Sequence, residues 1–178
     1  EQVSIGDTIA DAEQPLALPR VTIDEPTVQM TFSVNNSPFA GREGKFLTSR
    51  HLRERLFKEL ETNVSLRVQE TDSPDRFLVA GRGELHLGVL IEQMRREGYE
   101  LQVSQPEVIL HRDGDKVTEP YEELTIQVPE TYQGAVIEEI GKRRGEMRHM
   151  RMVHSVAGPS EMHLEYHFPT RRIMGLKD

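Results

Sequence analysis

A chain of 178 residues is long enough for one ordinary domain or two small ones. Thirty acidic against 22 basic residues give a net charge of −8, so any nucleic-acid contact must be local and a free-standing DNA-binding protein is disfavoured. The chain has no cysteine, which excludes disulfides, thiolate zinc sites and cysteine nucleophiles. No apolar run approaches the roughly 18 residues that span a bilayer, so no membrane partner is expected.

The first 20 residues are acidic and rich in turn-forming residues. Val3 and Ile5 alternate with polar residues, and Gly6-Asp7 is a turn signal. Such a segment is too short to bury a core of its own. It predicts one strand from a preceding domain, followed by a linker.

A first compact unit is predicted over residues 21–112. Apolar residues at every second position of 27–35 indicate a strand with one buried face. After a glycine- and proline-bearing loop, Thr48 or Ser49 can cap an amphipathic helix. The apolar face of this helix is formed by Leu52, Leu56, Phe57 and Leu60.

The rest of this unit completes a familiar order of elements. Strands are predicted around residues 64–68 and 77–80, and an amphipathic helix follows them. Gly98 can end this helix by adopting a left-handed conformation. Tyr99 to Val103 form the last strand. The order β-α-β-β-α-β is the ferredoxin-like arrangement.

A second unit is predicted over residues 118–178, after a turn at Asp113–Asp115. Alternation over 124–128 indicates a strand, and Thr131 can cap a helix that stops near Gly145. Strands are then expected at about 147–156 and 161–168, joined by a turn at 157–159, with Arg171–Leu176 opening a further helix. The sequence thus predicts a second ferredoxin-like unit that stops before its final helix and strand.

Two glycine-bearing segments invite a phosphate-binding interpretation. Gly41–Lys45 lacks the spacing of a P-loop and the strand-to-helix turn that aims backbone N–H groups at phosphates, which favours a solvent loop. Gly81–Glu84 joins a strand to a helix but has no third glycine at dinucleotide spacing. A tight turn with glycines at positive φ is the favoured interpretation there.

A metal or catalytic site has weak support in the sequence. His163, Glu165 and His167 share one face of a strand, about 7 Å apart in succession, without a convergent third partner. A solvated strand face is favoured over a metal site. No nucleophile elbow and no distinct pair of catalytic carboxylates is present.

The charge distribution is more informative. Residues 119–140 hold six glutamates and no lysine or arginine, and they precede a segment with five cations in eleven residues, which exceeds what a helix dipole needs. These observations predict contact with a phosphate backbone. The cations are not interleaved with aromatic residues, which argues against base stacking. The candidate contact residues form two groups. The first lies around the first predicted helix and comprises Arg42, Lys45, Arg50 and Arg53, with Arg55 and Lys58 beside them. The second comprises Lys142, Arg143, Arg144, Arg148 and Arg151.

Two other functions remain open from the residues alone. A pair of ferredoxin-like domains can sense a small ligand, which predicts stabilisation by that ligand. An enzyme built on the open sheet face around His163, Glu165 and His167 predicts stabilisation by metal. Fold alone does not separate these, because ferredoxin-like sheets host many functions.

Several motifs, taken together, resemble those of one known family of proteins. Gly81–Leu87 running to Met94–Glu97 is similar to the G-x-G-E-L-H-L…M-[KR]-R-E segment of domain III in elongation factor G and its relatives. Glu119–Glu122, Val128–Glu130 and Arg143–Gly145 resemble the opening of domain V. Gly6–Ile9 resembles the end of the β-barrel domain II. The segments Asn36–Phe39, Gly41–Phe46 and Thr48–Arg50 are similar to the BipA/TypA family and not to elongation factor G. Together, the motifs resemble a translational GTPase of the BipA/TypA family.

This resemblance implies an internal fragment with three parts. They are the end of β-barrel domain II with a linker (1–20), a ferredoxin-like domain III (21–112) and an incomplete domain V-like module (118–178). The fold class expected is α+β, with two ferredoxin-like α/β sandwich modules. GTP and Mg²⁺ would bind to an N-terminal GTPase domain outside this sequence, so neither catalytic residues nor a cofactor are expected here.

The resemblance also implies partners and a role. The expected partners are the ribosome, through ribosomal RNA and ribosomal proteins, and the GTPase domain of the same parent chain. The implied role is docking on the ribosome in translation, ribosome assembly or stress adaptation, in the cytoplasm. Charge reversal at Arg143, Arg144 and Arg148 is expected to weaken ribosome binding.

Overall fold

The computed structural model describes residues 5–19, 23–154 and 160–176. The chain divides into two compact units, Glu1–Glu107 and Val108–Asp178. Residues 5–19 contain neither helix nor strand, and Val3 of the predicted first strand lies outside the described residues. The turn predicted at 157–159 also lies outside them. No helix in the described ranges is long and apolar enough to cross a membrane.

The first unit has the predicted ferredoxin-like order. Its elements are β1 (Val28–Val34), α1 (Ser49–Glu59), β2 (Arg67–Glu70), β3 (Arg76–Gly81), α2 (Glu84–Arg96) and β4 (Leu101–Val103), and a two-residue β5 (Glu107–Val108) also pairs with β1. The sheet order is β2-β3-β1-β4, with antiparallel neighbours throughout that path. This order follows from the two crossover helices, each of which returns the chain to a strand two positions away, with one strand between the two that it connects.

The core of the first unit lies between this sheet and its two helices. Val28, Met30 and Phe32 alternate as buried residues along β1, as their period-two spacing predicts. The other buried side chains are Leu52 and Leu56 from α1, Leu66 directly before β2, Phe77 and Val79 from β3, and Leu87, Leu90 and Met94 from α2. The Thr48 hydroxyl caps α1 by accepting a hydrogen bond from the His51 N–H at 3.3 Å.

The glycines around α2 serve two different needs. Gly98 has φ +94, and its N–H and that of Tyr99 bond the last carbonyls of α2, as the predicted left-handed C-cap requires. The expected positive φ at Gly81 and Gly83 is wrong, since neither has one. A Cβ on Gly81 would lie 2.9 Å from His86 Nδ1, so this glycine is needed for close approach.

The second unit contains a hairpin and a three-stranded sheet. The hairpin pairs β6 (His111–Asp113) with β7 (Lys116–Thr118) around Gly114 at φ +58. The sheet has the antiparallel order β8-β10-β9. The elements that follow the hairpin are β8 (Tyr121–Pro129), a 3₁₀ turn (Glu130–Tyr132), α3 (Gln133–Lys142), β9 (Glu146–Val153), β10 (Glu161–Pro169) and α4 (Thr170–Ile173).

Strand β10 is the centre of the second core. Met162, Leu164, Tyr166 and Phe168 are buried together with Ile140 of α3, as the alternation along β10 predicts. Leu124, Ile126 and Val128 of β8 lie opposite them in the register but stay half-buried. The sheet face away from this core is polar.

The two ends of α3 differ from the sequence prediction. Thr131 does not cap the helix, because it lies inside the 3₁₀ turn and α3 begins at Gln133 without a side-chain cap. At the other end the left-handed position belongs to Arg144, with φ 58, where a glycine is usual. Gly145 comes one residue later, where a Cβ would overlap Phe168 and lie 2.7 Å from Ile140 Cγ2.

Candidate nucleic-acid interface

The loop between β1 and α1 is organised by the carboxylate of Glu100, a residue whose role no motif in the sequence indicated. The Glu100 oxygens accept backbone N–H bonds from Gly41 at 2.9 Å and from Glu43 and Gly44 at 3.1 Å each, and a bond from Asn35 Nδ2 at 2.6 Å. The hydrogen bonds from these donors lower the pKa of Glu100, and the bond from the Gly41 N–H has the largest effect. The glycine-bearing loop therefore holds a carboxylate of its own chain.

The same loop is fixed by backbone and ring contacts. The N–H groups of Lys45 and Phe46 both donate to the Gly98 carbonyl, at 2.7 and 3.1 Å. The Phe46 ring packs against Tyr99, with ring centroids 4.7 Å apart. A Cβ on Gly44 would lie 2.6 Å from Glu100 Cβ, so the loop approaches β4 as closely as a glycine permits.

Two of the candidate cations project from this fixed loop. The guanidinium of Arg42 lies over the ring of Phe39, 4.8 Å from its centroid, in a cation–π contact. Lys45 is exposed. In the described ranges neither side chain has a carboxylate within ion-pairing distance, so both positive charges are available to a partner.

The candidate cations of α1 are paired instead. Arg50 Nε lies 2.8 Å from Glu54 Oε1 one turn along the helix, and the pair lowers the pKa of Glu54. Arg53 Nε lies 2.5 Å from Glu70 Oε1 of β2. Such exposed pairs add little stability, but they neutralise charge that the sequence suggested was free.

Arg55 is a structural residue. Its side chain is only 12% exposed, and its guanidinium forms ion pairs with Glu59 at 2.8 Å and Glu97 at 2.5 Å, which link α1 to the end of α2. The hydrogen bond from Arg55 lowers the pKa of Glu97. Spacing in the sequence did not indicate this network, because Glu97 lies 42 positions away.

The second cationic segment is divided between three environments. Lys142 forms an ion pair with Glu138 at 2.9 Å on α3. Arg143 forms an ion pair with Glu139 at 3.2 Å and donates to three backbone carbonyls, those of Arg172 and Met174 at 3.2 Å each and of Gly175 at 3.1 Å. Arg143 therefore holds the segment after α4 in place, and reversing its charge would disturb the fold as well as any contact with RNA.

Arg144 combines two unusual features. Its backbone has φ 58, a conformation that costs a residue with a Cβ about 1 kcal/mol or more. Its side chain is exposed and has no ion pair in the described part of the chain. Residues held in such sparsely populated backbone conformations cluster at functional sites.

Arg148 and Arg151 lie on the polar face of the sheet. Arg151 of β9 lies opposite His163 of β10 in the strand register. Its side chain is exposed and has no carboxylate partner among the described residues. Arg148 sits at the β-bulge of β9 and contacts His167 Nδ1 at 3.0 Å and Glu146 at 3.3 Å. Of the nine candidate cations, four are thus free of carboxylates in the described ranges: Arg42, Lys45, Arg144 and Arg151.

The polar face also contains the candidate metal ligands. A shallow depression of about 490 Å³ is lined by Glu123, Thr125, Arg148, His149, Glu165, Tyr166 and His167. Among the described residues no group of three or more His, Asp or Glu side chains converges on a point where a metal ion could bind. The geometry of His163, Glu165 and His167 therefore gives the metalloenzyme hypothesis no support.

Comparison with known proteins defines the family. Residues 116–178 match the family model described as the elongation factor G C-terminus. The chain is 55% identical over 98% of its length to the large ribosomal subunit assembly factor BipA of Synechocystis sp., and 54% identical over 99% to that of Haemophilus influenzae. It is 49% identical over its whole length to the chloroplastic TypA-like protein SVR3 of Arabidopsis thaliana. It spans about 28% of the first two relatives and 26% of the third.

This chain also aligns with a solved structure from Thermus thermophilus at 15% sequence identity and a TM-score of 0.47. The alignment covers 93% of this chain and 40% of the other chain, and the similarity is too distant to bear on function.

The family match over residues 116–178 makes the second unit an elongation factor G-type C-terminal domain. The chain as a whole is a BipA/TypA-family sequence, as its motifs indicated.

Proposed function

We propose that this chain is a ribosome-docking segment of a BipA/TypA-like GTPase and contacts ribosomal RNA through its unpaired cations. The observation that carries the proposal is the 54–55% identity, over almost the whole chain, to proteins named as large ribosomal subunit assembly factors. Ribosomal proteins and the GTPase domain of the parent are the other proposed partners, and the proposed location is the cytoplasm. GTP and Mg²⁺ would bind to the parent outside this segment.

The proposed domain layout follows the units of the fold. Residues 21–112 would be domain III and 118–178 the domain V-like module, with 1–20 as the end of domain II and a linker. Support comes from the division of the chain into two compact units and from the family match over 116–178. Limited proteolysis that releases a stable fragment ending within 107–118 would agree with this layout, and cleavage first inside either sheet would contradict it.

The chain is acidic overall, but four of its cations have no carboxylate partner among the described residues. These four cations give the proposed docking on RNA its physical basis. A phosphate contact by an already paired cation must first replace an intramolecular ion pair, whereas Arg144 and Arg151 need no such exchange. Arg144 is the stronger candidate, since its left-handed backbone is costly for stability and a glycine would remove that cost. Replacing Arg144 with glycine should therefore weaken binding while strengthening the fold.

The test is sedimentation of the chain with purified ribosomes over a salt series. The double variant Arg144→Gly and Arg151→Gln should reduce the slope of log K against log salt by about two, roughly one unit for each phosphate that is no longer neutralised. The matched control, Arg50→Gln and Lys142→Gln, removes the same charge from two paired cations and should leave the slope almost unchanged. Equal effects of both variants, or no binding of the native chain at low salt, would overturn the proposal.

A further inference from the structure

The exposed stack of Phe39 and Arg42 contributes little to the core of the first unit. Phe39 is 63% exposed, although an aromatic ring of its size normally buries most of its surface. The guanidinium of Arg42 lies 4.8 Å from the ring centroid, so an apolar and a cationic plane meet at the surface. Sequence spacing argued against base stacking, but it did not show that these two side chains meet.

The loop that presents this stack is already ordered. Glu100 accepts the N–H bonds of Gly41, Glu43 and Gly44, and Asn35 binds both this carboxylate and, through its Oδ1, the Ser37 N–H at 3.0 Å. A ligand at the stack would therefore not have to order the loop on binding, which removes part of the usual entropic cost.

We infer that Phe39 and Arg42 form a stacking platform for an unpaired base of RNA. Aromatic rings and arginine guanidinium planes are the surfaces on which splayed-out RNA bases stack. Arg42 and Lys45, both without carboxylate partners in the described ranges, supply from the same loop the positive charge that a nearby phosphate requires. The inference rests on the proposed RNA contact and adds to it a defined base-stacking position.

The test uses the full 178-residue chain and a short unstructured RNA that carries one 2-aminopurine, whose fluorescence falls when the base stacks. The native chain should quench the probe. Phe39→Leu, which keeps an apolar side chain but removes the ring, should abolish the quench and weaken RNA binding about tenfold, within the range of one base–aromatic stack. Tyr132→Leu is the matched control, because Tyr132 is an equally exposed aromatic residue (62%) in the other unit.

The outcomes separate this inference from the proposed function. Salt-dependent binding of the probe without quenching, or a quench that survives Phe39→Leu, would overturn the stacking platform and leave ribosome docking through Arg144 and Arg151 intact. If Phe39→Leu weakens ribosome binding but leaves the RNA probe unaffected, the stack contacts a ribosomal protein and the inference is wrong. Absence of ribosome sedimentation by the native chain would contradict the docking proposal itself.

Discussion

Two glycines four residues apart in the second unit should respond in opposite directions to the same substitution. A Cβ on Gly145 would overlap the ring of Phe168, with Cδ2 at 2.6 Å, and would lie 2.7 Å from Ile140 Cγ2. Phe168 is fully buried and Ile140 is 2% exposed, so neither can move into solvent. Gly145→Ala should therefore destabilise the unit by about 1–3 kcal/mol through overpacking.

Gly141 is the matched control on the last turn of α3. No atom lies within 4 Å of a Cβ built there, and its φ is not positive. Gly141→Ala should stabilise the unit by about 0.5–1 kcal/mol, because alanine loses less backbone entropy than glycine on entering a helix. The two variants should then differ by about 1.5–4 kcal/mol in the free energy of unfolding.

Hydrogen exchange followed by mass spectrometry can assign the change to the correct unit. Protection of the β10 peptide should fall in Gly145→Ala and rise in Gly141→Ala, while the β1 peptide of the first unit serves as an internal control. Adding Phe168→Leu removes the clashing ring and should lower the cost of Gly145→Ala by at least about 0.5 kcal/mol, a coupling expected of residues in contact. A Gly145→Ala chain as stable as the native one would refute the packing argument.

Two further predictions concern Glu100 and Arg143. Because the backbone N–H groups of the loop lower the pKa of Glu100, its contribution to stability should be complete above the ordinary glutamate pKa of about 4.3 and lost as the pH falls through the lower folded value. Exchange protection factors of the Gly41, Glu43 and Gly44 amides should therefore drop in acid, and Glu100→Gln should remove that dependence; a pH-independent native loop would be incompatible with this. Arg143→Gln removes the ion pair with Glu139 and the three hydrogen bonds to carbonyls of α4 and the segment after it, and should cost about 1–3 kcal/mol with reduced protection at residues 172–176. Unchanged protection there would show that these hydrogen bonds do not hold the segment.

Local pattern was sufficient for most of the fold. The alternation along β1 and β10 predicted which side chains are buried, and those residues are buried in the structure. Thr48 and Gly98 predicted a helix start and a helix end from local backbone chemistry. The order of elements then restricted the first sheet to the ferredoxin-like arrangement, since crossover connections obey a fixed handedness.

Predictions failed where a local rule met a tertiary constraint. Thr131 has good capping chemistry, but the chain enters α3 through a 3₁₀ turn. Local pattern explains Gly145 as a helix stop, yet a glycine is required there because the Phe168 ring, 23 positions later, occupies the space of its Cβ. A helix-stop rule uses the next few residues and contains no information about such a distant ring.

The sequence by itself determined the family, the element order and the two clusters of positive charge, because these depend on residue types at fixed local spacings. Helical spacing already places Glu54 and Glu138 one turn from Arg50 and Lys142. Only the tertiary structure brings partners from distant elements and so decided which of the remaining cations are free. Glu97 and Glu70 come from other elements to neutralise Arg55 and Arg53, and the C-terminal carbonyls bind Arg143. Arg144 and Arg151 stay exposed without carboxylate partners in the described chain, since an ion pair depends on distance in space and not on separation in sequence.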